Sequence, residues 1–355
     1  MNNTLAPLLQ HLERSETLVR ATILTHSGST PRSAGSCMLL AAQGPDHMRI
    51  LAGTVGGGLV EAQVMAAAVA VLATGAPRLE NFELTGELAA GADMICGGRL
   101  RVFLERLGPQ DLPLWRGLAH ALALGQTGLR LASLEPLPPA SPSNANAPAG
   151  ASLLLPDGTL LGAPLPPELV QAARSAASGL AAPSTFDHAG RAYALEPWTA
   201  DSPLAIFGAG HVSRPTAQIA ALCGFRVTVL DDRPDFASVE RFPQARTVVL
   251  PSFDNCLAEL PQSPQSAIVI VTRGHVHDAE VLAQALRTQA GYVGMIGSRR
   301  KREAVYNRLR AQGFTDDDLL RVHCPIGLSI DAETPEEIAV SINAELIQWR
   351  AKARE

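Results

Sequence analysis

The stretch that decides the fold is L-A-I-F-G-A-G-H-V-S at residues 204–213, where a short apolar run leads into two glycines and a helical segment. Gly208 permits a tight turn, and Gly210 lets the backbone approach a phosphate. The first amides of the helix then face the anion. Asp231 ends the next apolar run, 23 residues after Gly208, where an acidic side chain binds a ribose 2′-hydroxyl. The pattern predicts a Rossmann-type strand–turn–helix unit.

The ligand of this turn stays open on the sequence. Ser213 replaces the third glycine of the usual fingerprint, and a fold does not fix a function. Three interpretations therefore stay open. The turn binds a dinucleotide, it binds another phosphorylated ligand, or it is part of a Rossmann scaffold that binds no nucleotide. The candidate binding residues are Gly208, Gly210, His211 and Asp231.

Regular alternation continues on the C-terminal side. Apolar runs alternate with helical segments, and the runs lie at residues 204–207, 226–230, 247–250, 267–272 and 292–296. Short buried strands that alternate with helices indicate parallel βαβ units. In T-P-E-E at residues 334–337, Thr334 caps the last helix and Glu337 completes a capping box. Residues 201–355 are therefore predicted to form a Rossmann-like parallel-sheet domain.

Two loops of this domain carry cationic and histidine side chains after predicted strands. T-R-G-H-V-H-D at residues 272–278 supplies Arg273, His275 and His277, and G-S-R-R-K-R at residues 297–302 supplies Ser298 and Arg299. In an open parallel sheet such loops share the carboxyl edge, where ligands bind. The histidines suit either a metal or hydrogen bonds to a phosphorylated ligand. The basic run suits either an anion site or a solvated helix face.

The N-terminal region mixes hairpin-like strands with helices, so residues 1–134 are predicted to form an α+β domain. Within it, Gly56, Gly57 and Gly58 lie between a strand and a helix, and Glu61 lies one turn inside that helix. Three successive glycines offer backbone amides to an anionic ligand. A close-packed turn that leaves no room for a Cβ is the alternative.

Cys96 is the thiol whose surroundings favour a thiolate, because it precedes Gly97 and Gly98 and lies near Arg99. A thiolate is both a nucleophile and a metal ligand. The alternative is a small buried thiol, which is a common environment for free cysteine. Cys96 is therefore the predicted metal-binding residue, with Gly97 and Gly98 beside it.

The middle of the chain divides these two regions. Residues 135–150 contain five prolines together with Ser, Asn and Ala, a composition typical of a flexible linker or a long surface loop. Residues 151–200 are predicted to form a small connecting module with one helix and short strands. The fold class is thus α/β, with an N-terminal α+β domain followed by a C-terminal Rossmann-like domain.

Composition excludes several classes of protein. Hydrophobic residues make up 46% of the 355 residues and the net charge is −5, which argues against disorder and against a nucleic-acid partner. The longest apolar run, residues 64–73, is too short to span a membrane, and no secretory signal is evident. Five cysteines without a C-x-x-C pair indicate free thiols in a reducing compartment. We therefore expect a cytoplasmic protein with no membrane partner.

Taken together, these motifs resemble those of the XdhC/CoxI family, the xanthine dehydrogenase accessory proteins. The resemblance rests on several ordered stretches, among them H-S-G-S-T-P-R-S-A-G at 26–35, G-T-V-G-G-G-L-V-E at 53–61, C-G-G-R-L-R-V-F-L-E at 96–105, I-F-G-A-G-H-V-S at 206–213, T-R-G-H-V-H-D at 272–278 and G-M-I-G-S-R-R-K at 294–301. Two positions depart from the family pattern. Leu59 stands where many members have Cys, and Cys324 stands where a hydroxyl residue is common.

The resemblance implies an accessory factor rather than a metabolic dehydrogenase or another enzyme. Such a protein binds the molybdenum cofactor, in which a phosphorylated pterin dithiolene holds molybdenum, supports its sulfuration and inserts it into xanthine dehydrogenase. Cys96 would contact the molybdenum–sulfur end, while the glycine turns would hold the phosphate. The implied partners are a cysteine desulfurase and the xanthine dehydrogenase large subunit.

We also expect a homo-oligomer, and the sequence does not determine its number of subunits.

Other interpretations of the same residues stay open. The main alternative function is an NAD(P)-dependent oxidoreductase with a dinucleotide in the Rossmann domain. A transferase that modifies the cofactor through His275, His277 and Asp278, and a ligand-free protein scaffold, are the others.

Overall fold

The computed structural model describes residues 2–84, 97–135, 150–258 and 260–352. The chain forms two compact units, Met1–Ala200 and Asp201–Glu355. Each unit has its own hydrophobic core.

The first unit combines four described helices with ten described strands. The helices are α1 (Asn2–Glu13), α2 (Gly58–Thr74), α3 (Leu112–Ala123), which follows a 3₁₀ turn at Pro109–Asp111, and α4 (Pro167–Ala176). The strands are β1 (Leu18–Ser27), β2 (Cys37–Ala42), β3 (Met48–Gly53), β4 (Arg78–Glu83), β5 (Arg99–Leu107), β6 (Thr127–Ser133), β7 (Ala151–Leu154), β8 (Leu160–Gly162), β9 (Ser184–His188) and β10 (Arg191–Thr199).

These strands form two antiparallel sheets, in the orders β3-β2-β1-β5-β4 and β8-β7-β6-β10-β9. One core cluster lies between α2 and the first sheet and includes Val64 and Val102. A second cluster combines apolar residues of α1 and α3 with residues of both sheets. The α+β character predicted for the N-terminal region is confirmed.

The boundary of this unit lies further along the chain than the sequence suggests. Strand β6 pairs with β7, from Leu129 opposite Leu154 to Ala132 opposite Ala151. Residues 135–150 therefore connect two neighbouring strands of one sheet rather than two domains. The predicted connecting module, residues 151–200, supplies four of the five strands of that sheet. Composition identifies such a connection but not which strands pair across it, because pairing is a long-range contact.

A network of four buried charged side chains has one member on each of the strands β1, β5, β6 and β10. Arg20 donates to Glu105 at 3.0 Å and to Glu196 at 2.5 and 3.0 Å. Arg130 donates to Glu196 and to Glu105, each at 2.5 Å. Because β1 and β5 belong to one sheet and β6 and β10 to the other, this four-charge network joins the two sheets.

The second unit has the topology that the sequence predicts. Its strands are β11 (Ser202–Phe207), β12 (Phe225–Asp231), β13 (Arg246–Val249), β14 (Ala267–Ile270), β15 (Tyr292–Met295) and β16 (Val322–His323). Its helices are α5 (Ser213–Leu222), α6 (His275–Ala285), α7 (Arg299–Ala311), α8 (Asp316–Leu320) and α9 (Pro335–Lys352).

All pairs of this sheet are parallel, in the order β13-β12-β11-β14-β15-β16. Phe207 at the end of β11 pairs with Leu230 of β12 and Ile270 of β14. The strand order therefore reverses beside β11, which is where ligands of open α/β sheets bind. The Rossmann-like prediction is confirmed. The capping box before α9 is also present, since Glu337 N–H donates to Thr334 Oγ1 at 3.2 Å and Thr334 N–H donates to Glu337 at 3.0 Å.

Candidate functional site

Three motifs of the first unit lie against one another, and their glycines permit backbone contacts that a Cβ would block. A Cβ at Gly98 would lie 2.5 Å from the carbonyl oxygen of Ser27 and 2.7 Å from that of Ser29. A Cβ at Gly28, whose φ is +69°, would lie 3.1 Å from the carbonyl oxygen of Gly97. Residues 26–35 therefore pack on Gly97 and Gly98 through backbone contacts that no larger residue permits.

The same loop also contacts the glycine turn that precedes α2. A Cβ at Gly56 would lie 2.7 Å from Cγ of Pro31. Residues 26–35 thus touch both Gly56 and the Gly97–Gly98 pair. We call this group, residues 26–35, 56–58 and 97–98, the motif cluster.

The glycine turn is held from within and is open to one side. The Thr54 hydroxyl accepts the Gly56 N–H at 3.1 Å and donates to the Glu61 carboxylate. Among the described residues, no side chain caps α2 and no atom lies within 4 Å of a Cβ built on Gly57. Glu61 therefore positions the turn through Thr54, while the first-turn amides, which lack intrahelical acceptors, adjoin open space. This arrangement suits an anion.

A cleft adjoins the motif cluster. It has a volume of about 460 Å³ and is lined by residues 25–27 of β1, 81–83 of β4 and 99–101 of β5. Arg99 forms an exposed ion pair with Glu83 at 3.2 Å. The His26 ring is fixed by the loop, because its Nδ1 accepts the Ala34 N–H at 3.1 Å.

Cys96, the predicted metal ligand, lies outside the described residues, so its role stays a prediction. Gly97 and Gly98, which follow it directly, belong to the motif cluster. Within the described part of the chain, no group of three or more His, Cys, Asp or Glu side chains is arranged to hold a metal.

In the second unit, the Rossmann turn is anchored on three sides. Gly208 has φ +101°, and a Cβ there would lie 2.5 Å from the carbonyl oxygen of Val271. Its N–H donates to Leu230 at 2.7 Å, and its carbonyl accepts the Ser213 hydroxyl at 2.5 Å. Ser213, which stands where a third glycine is usual, therefore ties the helix start to the turn. Gly210 is half-buried, and no described atom lies within 4 Å of a Cβ built on it.

Asp231 is buried and committed to the protein. Its carboxylate accepts the Ala209 N–H at 2.7 Å, the Arg233 N–H at 3.0 Å, and Nε and Nη2 of Arg233 at 2.8 and 2.9 Å. Burial alone would raise the pKa of Asp231, but the hydrogen bonds from Arg233 and Ala209 outweigh it and lower the pKa to about 2. A ribose-binding role does not fit this carboxylate, because contacts within the protein occupy it. The sequence places the acid at the strand end but does not show its partners.

The described side chains around the loop after β14 do not gather the predicted histidines into a metal site. His211 is exposed. Nδ1 of His277 lies 3.1 Å from the Glu280 carboxylate, and the His277 ring packs on the Phe253 ring. His275 is the first residue of α6. Arg273 forms an ion pair with Asp232 at 2.6 Å.

Ser298 acts as the N-cap of α7, since its hydroxyl accepts the Lys301 N–H at 3.2 Å. Arg299 is exposed at the start of the same helix. The hydroxyl of Ser298, a predicted anion ligand, is thus already used in a hydrogen bond within the protein. This supports the alternative that residues 297–302 form a solvated helix face.

The sequence motifs do not reveal a buried ion pair at the same edge. Asp278 is fully buried, accepts the Thr272 hydroxyl at 2.7 Å and pairs with the Lys301 ammonium. Asp278 lies in the histidine motif and Lys301 in the basic run, so each residue belongs to a recognised motif. Their pairing could not be predicted, because the two loops follow different strands.

The comparisons with known proteins agree with this architecture. A family model described as "XdhC and CoxI family" matches residues 11–83, and one described as "XdhC Rossmann domain" matches residues 204–346. The chain belongs to the XdhC and CoxI family. The two models cover the glycine turn of the first unit and the Rossmann sheet from Leu204 of β11 onward.

Three relatives of this family member extend the comparison. It is 28% identical over 96% of both chains to a probable xanthine dehydrogenase subunit of Bacillus subtilis. It is 36% identical over 151 residues to the protein YqeB of Escherichia coli, of whose length the match spans 28%. A crystal structure described as a xanthine dehydrogenase from Bacillus halodurans aligns over 99% of this chain and 97% of that one, with 25% identity and a TM-score of 0.78.

Two further observations concern the described helices and cysteines. Among the described helices, none is long and apolar enough to cross a bilayer. The four described cysteines are free thiols, at positions 37, 223, 256 and 324. Burial raises the pKa of Cys256 and of Cys324 to about 11, so neither is a ready thiolate at neutral pH.

Proposed function

We propose that this protein matures a xanthine dehydrogenase-type enzyme. It binds the molybdenum cofactor as cargo, supports its sulfuration with a cysteine desulfurase and delivers it to the large subunit. The observation that supports this role is the motif cluster, in which three separate sequence motifs of the family meet in the first unit. The names of the Bacillus relatives, which refer to xanthine dehydrogenase, point to the same target.

The residues of the cluster match the chemistry of the cargo at its anionic end. A phosphate needs donors that are not already used, and the first-turn amides of α2 have no side-chain cap among the described residues. Gly57 leaves open space beside these amides, so a ligand can approach the backbone closely. In this proposal the turn at residues 56–58 holds the phosphate.

The molybdenum end of the cargo calls for a soft ligand, and thiolates suit such metals. Cys96 directly precedes the Gly97–Gly98 pair. The buried thiols Cys37 and Cys256 belong to hydrophobic cores. Cys96 is therefore the thiol that we assign to the molybdenum–sulfur end.

The test is a cargo measurement with a matched thiol control. We expect the wild-type protein, purified from a host that makes the cofactor, to carry molybdenum and pterin and to activate apo-xanthine dehydrogenase. Cys96→Ser should lose most of the molybdenum and the activation, because a hydroxyl is a poor ligand for a soft metal. Cys223→Ser, which changes a half-buried thiol of the second unit, should retain both.

Full occupancy and full activation by Cys96→Ser would exclude the assigned role of Cys96. Wild-type protein without molybdenum or pterin would exclude the cargo itself. The expected homo-oligomer is tested separately by light scattering of the same samples.

The oxidoreductase alternative is weakened by one observation. An NAD-type dinucleotide places a ribose diol at the acid that ends the second strand, and the carboxylate of Asp231 already accepts four hydrogen bonds. Turnover of a carbonyl substrate with NADH would favour this alternative.

A further inference from the structure

We infer that the Rossmann unit recognises a phosphate monoester at the end of β12 through Arg233 and Arg241, and not a ribose diol through Asp231. This inference concerns the second unit and goes beyond the proposed function, which rests on the first. The site consists of Ala209, Asp231, Arg233, Phe236 and Arg241.

The first step is that Asp231 has no acceptor capacity left. An ionised carboxylate has about four lone-pair sites, and four donors of Ala209 and Arg233 reach its two oxygens at 2.7–3.0 Å. A ribose hydroxyl would have to displace one of them. The carboxylate instead fixes the Rossmann turn through the Ala209 N–H, so we assign it a positioning role.

The second step is that Asp231 orients Arg233 and leaves part of it available. The Asp231 carboxylate accepts hydrogen bonds from Nε and Nη2 of the guanidinium. Among the described residues, no acceptor forms a hydrogen bond with Nη1. The guanidinium carbon lies 3.7 Å from the centre of the Phe236 ring. The Arg233 side chain is 27% exposed, so a ligand can reach a guanidinium group whose orientation is already fixed.

The third step is that Arg241 lies beside the same ring and the same turn. Its guanidinium carbon is 4.9 Å from the centre of the Phe236 ring, and its Nη2 donates to the Ala209 carbonyl at 3.2 Å. Within the described residues, its buried Nε has no acceptor and no carboxylate forms an ion pair with it. Arg241 therefore has no ion-pair partner among the described residues.

The remaining charges of the edge do not reverse this balance. Asp232 is paired with Arg273 at 2.6 Å, and its other oxygen lies 4.0 Å from Nε of Arg233. Asp231 is paired with Arg233. Guanidinium groups recognise phosphate through paired N–H donors, and an arginine near this strand end accommodates a 2′-phosphate in dinucleotide-binding domains. A phosphate monoester fits this set of donors, whether it belongs to a 2′-phosphorylated nucleotide or to another phosphorylated ligand.

The experiment compares four probes by isothermal titration calorimetry on the full chain. The probes are 2′,5′-ADP, its isomer 3′,5′-ADP with the same charge, 5′-AMP and inorganic phosphate. If the source is a nucleotide, 2′,5′-ADP should bind at least about ten-fold more tightly than 5′-AMP and 3′,5′-ADP, since only 2′,5′-ADP offers a 2′-phosphate to the charge-assisted, paired donors of the guanidinium. If the source is another phosphorylated ligand, inorganic phosphate should bind and compete with every nucleotide probe.

The variants test whether Arg233 carries the recognition. Arg233→Gln should abolish the preference or the phosphate binding, and Arg233→Lys should retain part of it, because lysine keeps the charge but not the fork. Arg246→Gln changes an exposed arginine at the opposite, amino end of the parallel sheet and should bind like the wild type. Thermal unfolding by circular dichroism checks that each variant is folded.

Two results would overturn the inference. One is tighter binding of 5′-AMP than of 2′,5′-ADP by the wild type, and the other is binding of none of the four probes. Wild-type affinities decide both, so a variant that fails to fold does not leave the question open. Since no probe contains molybdenum and no dehydrogenase is present, failure here is distinguishable from failure of the proposed function.

Discussion

At the scale of single residues, the most consequential side chains of the first unit are the charges of its buried network. Arg20, Arg130 and Glu196 are at most 1% exposed. Burial alone would raise the pKa of Glu196, but the two arginines outweigh it and lower the pKa to about 2. Replacing one member of such a group leaves an uncompensated buried charge, which is strongly destabilising.

We therefore predict that Glu196→Gln lowers the free energy of unfolding of the first unit by about 3–5 kcal/mol at pH 7. An acid whose pKa is depressed in the folded state stabilises the fold above its unfolded pKa of about 4.3. That stabilisation is lost as the pH falls through the folded value. The difference between wild type and variant, measured by urea denaturation, should therefore shrink as the pH falls from 5 towards 2.

Glu13→Gln is the matched control. Glu13 pairs with Arg116 at 2.9 Å on the surface, and exposed pairs contribute about 0–1 kcal/mol. A loss in Glu196→Gln no larger than in this control would show that the network does not hold the two sheets together.

At the scale of elements, the glycines of the motif cluster decide how the loop at residues 26–35 is placed. Gly98 is the clearest case, because a Cβ there would enter the backbone of Ser27 and Ser29. The loop, and not only the side chains beside it, has to move to admit one. The same argument applies less severely at Gly56, where the contact is with the side chain of Pro31.

We predict that Gly98→Ala displaces this loop and destabilises the first unit by about 1–3 kcal/mol. On the function proposed above, it should also reduce the molybdenum bound per chain. Gly44→Ala should change neither quantity, because no described atom lies within 4 Å of a Cβ at that position. Chemical denaturation and metal analysis of the same preparations give both numbers. Unchanged stability and unchanged molybdenum content in Gly98→Ala would show that the close approach is not required.

At the scale of the whole molecule, the division into Met1–Ala200 and Asp201–Glu355 differs from the one that the proline-rich segment suggests. The sheet β8-β7-β6-β10-β9 takes β6 from before that segment and its other strands from after it. Arg130 of β6 and Glu196 of β10 also meet in the buried network. A cut within residues 135–150 would therefore separate paired strands and paired charges.

We predict that a fragment of residues 1–200 unfolds cooperatively, whereas a fragment of residues 1–150 does not. The shorter fragment lacks Glu196 and four strands of one sheet, so both buried arginines would lose a partner. A fragment of residues 201–355 should also fold, since its parallel sheet is complete. Circular dichroism melts of the three fragments provide the test, and cooperative unfolding of residues 1–150 would contradict the observed sheet pairing.

Much of this architecture could be predicted from local pattern. The Rossmann sheet, the turn at Gly208, the glycine turn before α2 and the capping box of α9 all follow from apolar runs, glycine positions and capping residues that lie close together in the chain. The hydrogen bond from Ala209 to Asp231 could not be predicted in this way, because the two residues lie 22 positions apart, whereas Arg233 lies only two residues from Asp231. The sequence places an acidic residue at the end of a strand. The structure shows that its carboxylate already accepts hydrogen bonds from within the protein.

The sequence by itself determined the family, the class of fold and the position of each glycine turn, because these are properties of short stretches. Only the tertiary structure decided that β6 pairs with β7, that four charges separated by up to 176 residues meet in one core, and that Asp278 pairs with Lys301. The physical reason is that burial and pairing depend on which strands become neighbours. Side-chain type restricts those partners but does not choose among them.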